Sequence, residues 1–173
     1  MRSGAEARRL FWVVALAVLI GDVISKQIVE RVLPRLLPDS SPPDGPPWIQ
    51  LRLVYNQGAA FGLDLGPFSR WIFLLIALIA IVLLYRLSRG SGPGDTLRHL
   101  ACGLVAGGAA GNLLDRIRGS QGVVDFIDVG IGTHRWPTFN LADMGVSCGA
   151  IVLALSLWLE DARRSRAEAA PSA

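Results

Sequence analysis

The chain has 173 residues, of which 51% are apolar and only 18% are charged, and its mean hydropathy is +0.43. This composition excludes a disordered chain and a collagen-like repeat. The net charge is only +3 and 16 of the 17 basic residues are arginine, so we expect no nucleic-acid partner. Cys102 and Cys148 lie in apolar segments without the spacing of metal ligands. The sequence therefore predicts an integral membrane protein, and we expect no cofactor.

Apolar residues are concentrated in four blocks, which predict four transmembrane helices. The blocks are free of formal charge and cover residues 11–21, 71–85, 99–114 and 144–159. A full crossing needs about 20 residues, so each block reaches that length only by including polar residues at one end. The predicted spans cover about residues 10–32, 69–87, 98–116 and 140–160. We interpret them as one domain covering residues 1–173, with the first block as a retained helix rather than a cleaved signal peptide.

The polar ends of the four spans fall on the same side of the membrane if the helices are antiparallel. The residues concerned are Asp22, Lys26, Arg70, Asp115, Arg116, Asn140 and Asp143. Arginines are denser near the other ends, in the N-terminal segment, the short loop between the second and third spans, and the C-terminal tail. By the positive-inside rule, both termini are expected in the cytoplasm and the polar ends face outward.

The two outer segments are predicted to contain short strands. Residues 34–47 hold six prolines and predict an irregular connector. Residues 48–55 then predict a strand that ends at a turn-like Asn-Gln-Gly, and residues 122–129 predict a second strand. The fold class expected is an all-α membrane protein with four transmembrane helices and a small extracytoplasmic β-sheet.

Two features of the spans have both a structural and a functional interpretation. Asp22 and Lys26 are four residues apart, on one helix face, and form either a structural ion pair or a support for a neighbouring site. Gly103, Gly107 and Gly111 repeat at a four-residue spacing in the third span. This spacing favours close helix packing, with room for a bound segment as the alternative.

Carboxylates gather near the outer ends of the helices. Asp115 follows Asn112 on one face of the third span and precedes Arg116, an arrangement that an interfacial cap with a local ion pair also explains. Asp125 and Asp128 lie three apart on a strand, so one should face the bundle and the other water or lipid headgroups. The alternation does not decide which acid faces the bundle.

Asp143 begins the fourth span, where an acid can act simply as a helix cap. Several carboxylates in one partly dry site cannot all ionise, so one of them should hold a proton near neutral pH. A pair that shares a proton lets one carboxylate activate water while the other protonates a carbonyl group. The sequence therefore indicates acid–base chemistry at the outer membrane face.

Other chemistries and functions find less support. No Ser-His-Asp order or Cys–His pair suits nucleophilic catalysis, His134 is interpreted as an interfacial loop residue, and no ligand spacing supports a metal site. A channel or transporter would need acids along a path to the cytoplasm, and we find no Asp or Glu in the inner halves of the spans. A non-catalytic scaffold would leave the gathering of polar helix ends unexplained.

The chain resembles the bacterial lipoprotein signal peptidases, also called signal peptidase II, over about residues 10–160. Five motifs carry the resemblance in order and spacing: Asp-Val-Ile-Ser-Lys at 22–26, Tyr-Asn-Gln-Gly-Ala-Ala-Phe-Gly at 55–62, Gly-Gly-Ala-Ala-Gly-Asn-Leu-Leu-Asp-Arg at 107–116, Val-Val-Asp-Phe-Ile-Asp at 123–128 and Phe-Asn-Leu-Ala-Asp at 139–143. The proline-rich insert at 38–47 and the Ala-rich tail after Arg166 depart from the family pattern. These departures leave open only how the outer loop meets the substrate.

The resemblance implies an aspartic endopeptidase of the bacterial cytoplasmic membrane. Its expected partners are lipid-modified prolipoproteins, which are its substrates, and the surrounding phospholipid. Such an enzyme cuts just before a cysteine that carries diacylglycerol, and we expect it to be a monomer. The catalytic pair carried over is Asp125 and Asp143, so Asp125 should face the bundle and Asp128 should not be catalytic. The residues implied to line or support the site are Asn56, Asn112, Arg116 and Asn140 for substrate binding, Asp115 for orienting Arg116 or Asn112, and Asp22 with Lys26.

Overall fold

The computed structural model describes residues 4–36, 48–58, 65–92 and 94–168. The elements, in chain order, are α1 (Gly4–Leu36), β1 (Ile49–Asn56), a short 3₁₀ turn (Gly66–Phe68), α2 (Ser69–Gly90), α3 (Thr96–Arg118), β2 (Val123–Ile131), β3 (His134–Arg135) and α4 (Leu141–Glu168). The predicted insert at 38–47, the motif residues 59–62 and the tail from 169 lie outside the described residues. The four predicted helical segments and both predicted strands are all present.

Three of the four long helices have the length and composition of a membrane span. They cover Arg8–Pro34, Gly66–Gly90 and Leu141–Arg166. Helix α3 has 23 residues but is rich in glycine and carries charged residues at both ends, so its apolar character is lower. The expectation of four spans is therefore confirmed for three helices, and the crossing of α3 stays a prediction.

Helix α3 packs closely against α1 on one side and against α4 on the other, and its glycines make this possible. A Cβ atom added at Gly107 would lie 2.5 Å from the carbonyl oxygen of Ala15 in α1. A Cβ atom at Gly108 would collide with the carbonyl oxygen of Ala142 in α4. Small residues in membrane helices permit this approach of backbones. The close-packing interpretation of the glycine repeat is therefore confirmed.

The sheet has three antiparallel strands in the order β1-β2-β3. The register of β1 and β2 runs from Ile49 opposite Val129 to Asn56 opposite Val123, with an irregularity between Leu51 and Val54. The two predicted strands agree with β1 and β2 to within two residues. The strand β3 differs from the interpretation of His134 as a loop residue, since His134 and Arg135 pair with the end of β2.

Two contacts fix β2 relative to the helices. Phe126 packs with Val29 and Leu33 near the outer end of α1. On the way to α4, the backbone of Phe139 exchanges hydrogen bonds with Ile127, at 3.0 Å and 2.8 Å. Since α4 starts two residues after Phe139, this pairing places the start of α4 beside β2.

Candidate active site

Asp125 lies in β2, and its side chain is buried beside the start of α4, with only 2% of the residue exposed. Its carboxylate oxygens accept hydrogen bonds from the side-chain amides of Asn56, at 3.0 Å, and Asn140, at 2.7 Å. Burial raises the pKa of Asp125 to about 6, the nearby Asp143 carboxylate adds to this rise, and the two amide hydrogen bonds oppose it. Asp125 is therefore a carboxyl group that changes its charge close to neutral pH.

Asp143 lies in the first turn of α4 and forms a reciprocal cap with Asn140. The backbone N–H of Asp143 donates to Oδ1 of Asn140 at 2.9 Å, and the backbone N–H of Asn140 donates to Oδ2 of Asp143 at 3.2 Å. This exchange has the form of a capping box. The other oxygen of Asp143 accepts a hydrogen bond from the side-chain amide of Asn112 in α3, at 2.8 Å. Asp143 is thus a helix cap and also part of a wider polar network.

Asn140 connects the two carboxylates. Its residue surface is completely buried. Its side-chain N–H donates to Asp125, while its side-chain oxygen and its backbone N–H bind Asp143. The same amide nitrogen lies 3.2 Å from Oδ1 of Asn112. One residue therefore holds an acid from the sheet and an acid from a helix close together.

Lys26 is the centre of a buried charge cluster beneath this pair. Its ammonium group lies 2.7 Å from a carboxylate oxygen of Asp22 and 2.7 Å from one of Asp115. It also donates to the side-chain oxygen of Asn112 at 3.1 Å. The second oxygen of Asp22 accepts the backbone N–H of Ala142 at 2.9 Å. The predicted pair of Asp22 and Lys26 is present, and it joins α1, α3 and the start of α4.

Asp115 makes different contacts from those that the resemblance implied. Its carboxylate binds Lys26 and accepts the backbone N–H of Val124 at 3.3 Å. Its hydrogen bonds within the described residues do not include Arg116 or the side chain of Asn112. Lys26 lies between them and provides the link, because it binds both Asp115 and Asn112. Asp115 therefore acts on the site through Lys26 and through the backbone at the start of β2.

Arg116 secures the backbone that follows β1. Its guanidinium donates to the carbonyl oxygen of Gly58 at 2.9 Å and to that of Asn112 at 3.2 Å, and it lies 5.5 Å from the ring centre of Phe73. The N–H of Gly58 donates to Oδ1 of Asn56 at 3.0 Å. This turn therefore fixes Asn56, whose amide group binds Asp125.

Asp128 does not lie at the site, but the expectation that this second acid faces water or headgroups is wrong. Asp128 is only 3% exposed. Its carboxylate accepts a hydrogen bond from Nε of Arg135 at 2.9 Å, and Arg52 lies at 4.0 Å. The reason is β3, which brings Arg135 back beside β2 and covers the acid. Alternation along β2 could not reveal this cover.

The sequence places Arg70 at the outer end of the second span, but it does not predict the contacts of Arg70 or of Glu160. Arg70 donates to the last carbonyl oxygens of α3, to Arg116 at 2.7 Å and to Ile117 at 3.3 Å. A cation at a helix C-terminus is favourable, but no local signal linked Arg70 to this helix. Glu160, at the other end of the bundle, forms an ion pair with Arg98. The statement that the inner halves of the spans lack acids therefore overlooked a carboxylate at the end of the fourth span.

Comparison with known proteins identifies the family. The family model described as signal peptidase (SPase) II matches residues 14–159. The chain belongs to the signal peptidase II family. Two relatives named lipoprotein signal peptidase support this membership. The protein of Hydrogenovibrio crunogenus is 40% identical over 70% of this chain and 72% of its own length. That of Syntrophomonas wolfei is 41% identical over 90% of this chain and 97% of its own length.

Solved structures also resemble this signal peptidase II family member. A bacterial membrane enzyme determined by the in meso method at 2.3 Å resolution has a TM-score of 0.74 and 27% identity, over 87% of this chain and 88% of that chain. A second such structure, at 1.9 Å resolution, has a TM-score of 0.69 and 28% identity, over 84% and 90% of the two chains. The family membership makes the chain a peptidase, and the resemblance expected from its five motifs is confirmed.

Proposed function

We propose that this protein is an aspartic endopeptidase that removes signal peptides from lipid-modified prolipoproteins, with Asp125 and Asp143 as its catalytic pair. The observation that carries the proposal is the shared contact with Asn140, which holds one acid from β2 and one from α4. The names of the relatives support the substrate class. The proximity of Asp143 and the burial of Asp125 both raise the pKa of Asp125, which favours a shared proton.

The reaction needs one carboxylate ionised and the other protonated. The ionised carboxylate takes a proton from a water molecule whose oxygen adds to the scissile carbonyl carbon, while the protonated carboxyl group gives its proton to the carbonyl oxygen. The C–N bond then breaks, and the proton taken from water passes to the leaving nitrogen. The two groups titrate as a unit, so the starting base is assigned to the pair of Asp125 and Asp143.

In this proposal the asparagines of the site position the two acids. Asn56 and Asn140 orient the two oxygens of Asp125, and Asn112 orients Asp143. Amide N–H groups stabilise an ionised carboxylate without adding a charge that would trap it in that state. Together with Arg116, these residues line the place where the substrate backbone and its lipid-bearing segment bind.

The proposed location follows from the membrane spans. We propose that α3 crosses the membrane with the three apolar helices, that both termini lie in the cytoplasm, and that the site lies at the outer face of the bacterial cytoplasmic membrane. A single-domain monomer is sufficient, because the site residues come from α1, α3, α4 and the sheet of one chain. The scissile bond of a membrane-anchored substrate would then lie at the level of Asp125 and Asp143.

The test is a cleavage assay with a diacylglyceryl-modified prolipoprotein. Asp125→Asn and Asp143→Asn should each abolish cleavage while the protein still accumulates in the membrane, because each removes one partner of the proton exchange. Asp161→Asn is the matched control, since this acid is exposed in α4 far from the site. Full activity in either of the first two variants would disprove the two-carboxylate mechanism.

A chelation experiment separates this mechanism from metal catalysis. No group of three or more metal-binding side chains is present within the described residues. In the proposed mechanism a carboxylate activates the water, so EDTA should leave cleavage unchanged. Loss of activity that added metal restores would contradict the proposal and would favour metal-activated water instead.

A further inference from the structure

An apolar cavity lies between α1, α2 and α3, in the half of the bundle remote from Asp125 and Asp143. Its volume is about 250 Å³. The side chains that line it include Trp12, Leu16, Val82, Tyr85 and Ala110. About half of the surface of Trp12, Leu16 and Val82 is exposed, so the cavity opens to the side of the bundle that faces lipid. A cavity of this kind, between membrane helices, suits a hydrocarbon chain rather than water.

Two arginines lie beyond the same end of the cavity. The guanidinium of Arg89 is 5.9 Å from the ring centre of Tyr85, which lines the cavity. Arg8 precedes Trp12 by one helical turn, on the same face of α1. Both arginines are exposed, and neither forms a salt bridge with another described residue. The cavity is therefore apolar inside and cationic at its mouth.

Aromatic rings separate the arginines from the apolar interior. The ring centres of Trp12 and Tyr85 are 5.6 Å apart, and Phe11 lies 5.1 Å from Trp12. Tryptophan and tyrosine are typical of the level at which hydrocarbon meets headgroups. The arginines one turn further out then lie at the level of lipid phosphates. The order of these features therefore matches the parts of a lipid molecule. The apolar cavity corresponds to the acyl chain, the aromatic ring pair to the interface, and the arginines to the headgroup.

We propose that this cavity binds one anionic phospholipid, with an acyl chain against Trp12 and Ala110 and its phosphate between Arg8 and Arg89. An anionic lipid is favoured over a zwitterionic one, because the amine of a zwitterionic headgroup compensates the phosphate charge that the arginines attract. The site lies in the leaflet opposite the carboxylate pair. It would bind lipid whether or not the proposed peptidase mechanism holds, and its test does not depend on cleavage.

The experiment is native mass spectrometry of the full chain in detergent, titrated separately with phosphatidylglycerol and phosphatidylcholine of the same acyl chains. We expect one phosphatidylglycerol to be retained in preference to phosphatidylcholine. Removal of an arginine near an anionic headgroup should weaken binding by about fivefold, so Arg8→Gln with Arg89→Gln should weaken it by about 25-fold. Arg163→Gln with Arg166→Gln removes the same charge from α4 and is the matched control.

A second variant tests the cavity itself. Ala110→Leu adds apolar volume to the cavity wall and leaves both arginines in place, so it should abolish retention of phosphatidylglycerol. Equal retention of the two lipids would overturn the proposal, because it would indicate an acyl-chain site without headgroup selection. The proposal is also overturned if the α4 control loses binding as strongly as the Arg8 and Arg89 variant, since this would indicate diffuse surface charge.

Discussion

The hydrogen bond from Asn56 to Asp125 should control the pH at which the enzyme works, and Asn56→Ser tests this. Serine removes the amide that lies 3.0 Å from the Asp125 carboxylate. It keeps a side-chain oxygen for the N–H of Gly58, because serine forms the same kind of turn. The substitution therefore separates the contact with the acid from the structure of the turn.

The expected shift follows from the energy of the lost contact. A hydrogen bond to a charged group contributes about 1.5 to 3 kcal/mol, and a change of one pKa unit corresponds to about 1.4 kcal/mol. The amide stabilises the ionised carboxylate, so its loss raises the pKa. The pKa of Asp125, which is about 6 in the native site, should therefore rise by about one to two units.

The assay is the pH dependence of kcat/KM for a diacylglyceryl-modified prolipoprotein. The titration near pH 6 should move to higher pH in Asn56→Ser. If Asp125 starts as the base, activity falls at neutral pH and returns in alkaline buffer. If it starts as the acid, activity instead extends to higher pH. Gln57→Ser, at the exposed neighbouring position of the same turn, should leave the profile unchanged.

A lower kcat/KM with an unmoved titration would refute this reasoning. Such a result would mean that Asn56 serves the turn or the substrate and does not set the charge of Asp125. The pH profile of Asn56→Asp checks the direction of the shift in the Asp125 titration. A second carboxylate beside Asp125 should move the titration further upward than serine does, because like charges disfavour ionisation.

Three further substitutions have expected outcomes. Lys26→Met leaves the buried carboxylate of Asp22 and the partly buried carboxylate of Asp115 without their ammonium partner, so it should destabilise the fold by about 3 to 5 kcal/mol and reduce the amount of folded protein in the membrane. Asp128→Asn should keep most of the cleavage activity but lower the melting temperature, since the charged contact with Arg135 contributes about 1.5 to 3 kcal/mol; a stable but inactive variant would contradict this. Gly107→Val should lower the melting temperature by separating α3 from Ala15, at an energy of about 1 to 3 kcal/mol, whereas Gly90→Val, where a Cβ has open space, should not.

Much of the architecture could be predicted from local patterns. Apolar blocks, which reach the length of a membrane span once the polar residues at one end are included, indicated the helices. Alternation with turn residues indicated β1 and β2. The glycine repeat in α3 predicted close packing, because the absence of a Cβ has the same consequence wherever two helices cross. The resemblance, carried by motifs in order along the chain, predicted which acids would share a site. Apart from the resemblance, each of these inferences uses residues that are near one another in the sequence.

The contacts that orient the acids depend on residues that are distant in the sequence. Lys26 binds Asn112, 86 positions away, and Asn56 binds Asp125, 69 positions away. No periodicity reports such pairs. The resemblance implied that Asp115 orients Arg116 or Asn112, but it did not predict that Lys26 would be the link between Asp115 and Asn112. The same reason explains the error at Asp128, whose cover is a two-residue strand too short to recognise from composition.

The sequence by itself determined that this protein lies in a membrane and which helices contact the lipid. It also determined which few ionisable residues lie close to the membrane, where a charged group is costly unless it is paired or functional. The low fraction of charged residues, 18%, was enough for this, because transfer from water to lipid depends on composition and segment length. Only the tertiary structure decided which oxygen each amide holds and which acid Lys26 neutralises. Hydrogen bonds act over about 3 Å, so they are assigned only after the fold has brought distant segments together.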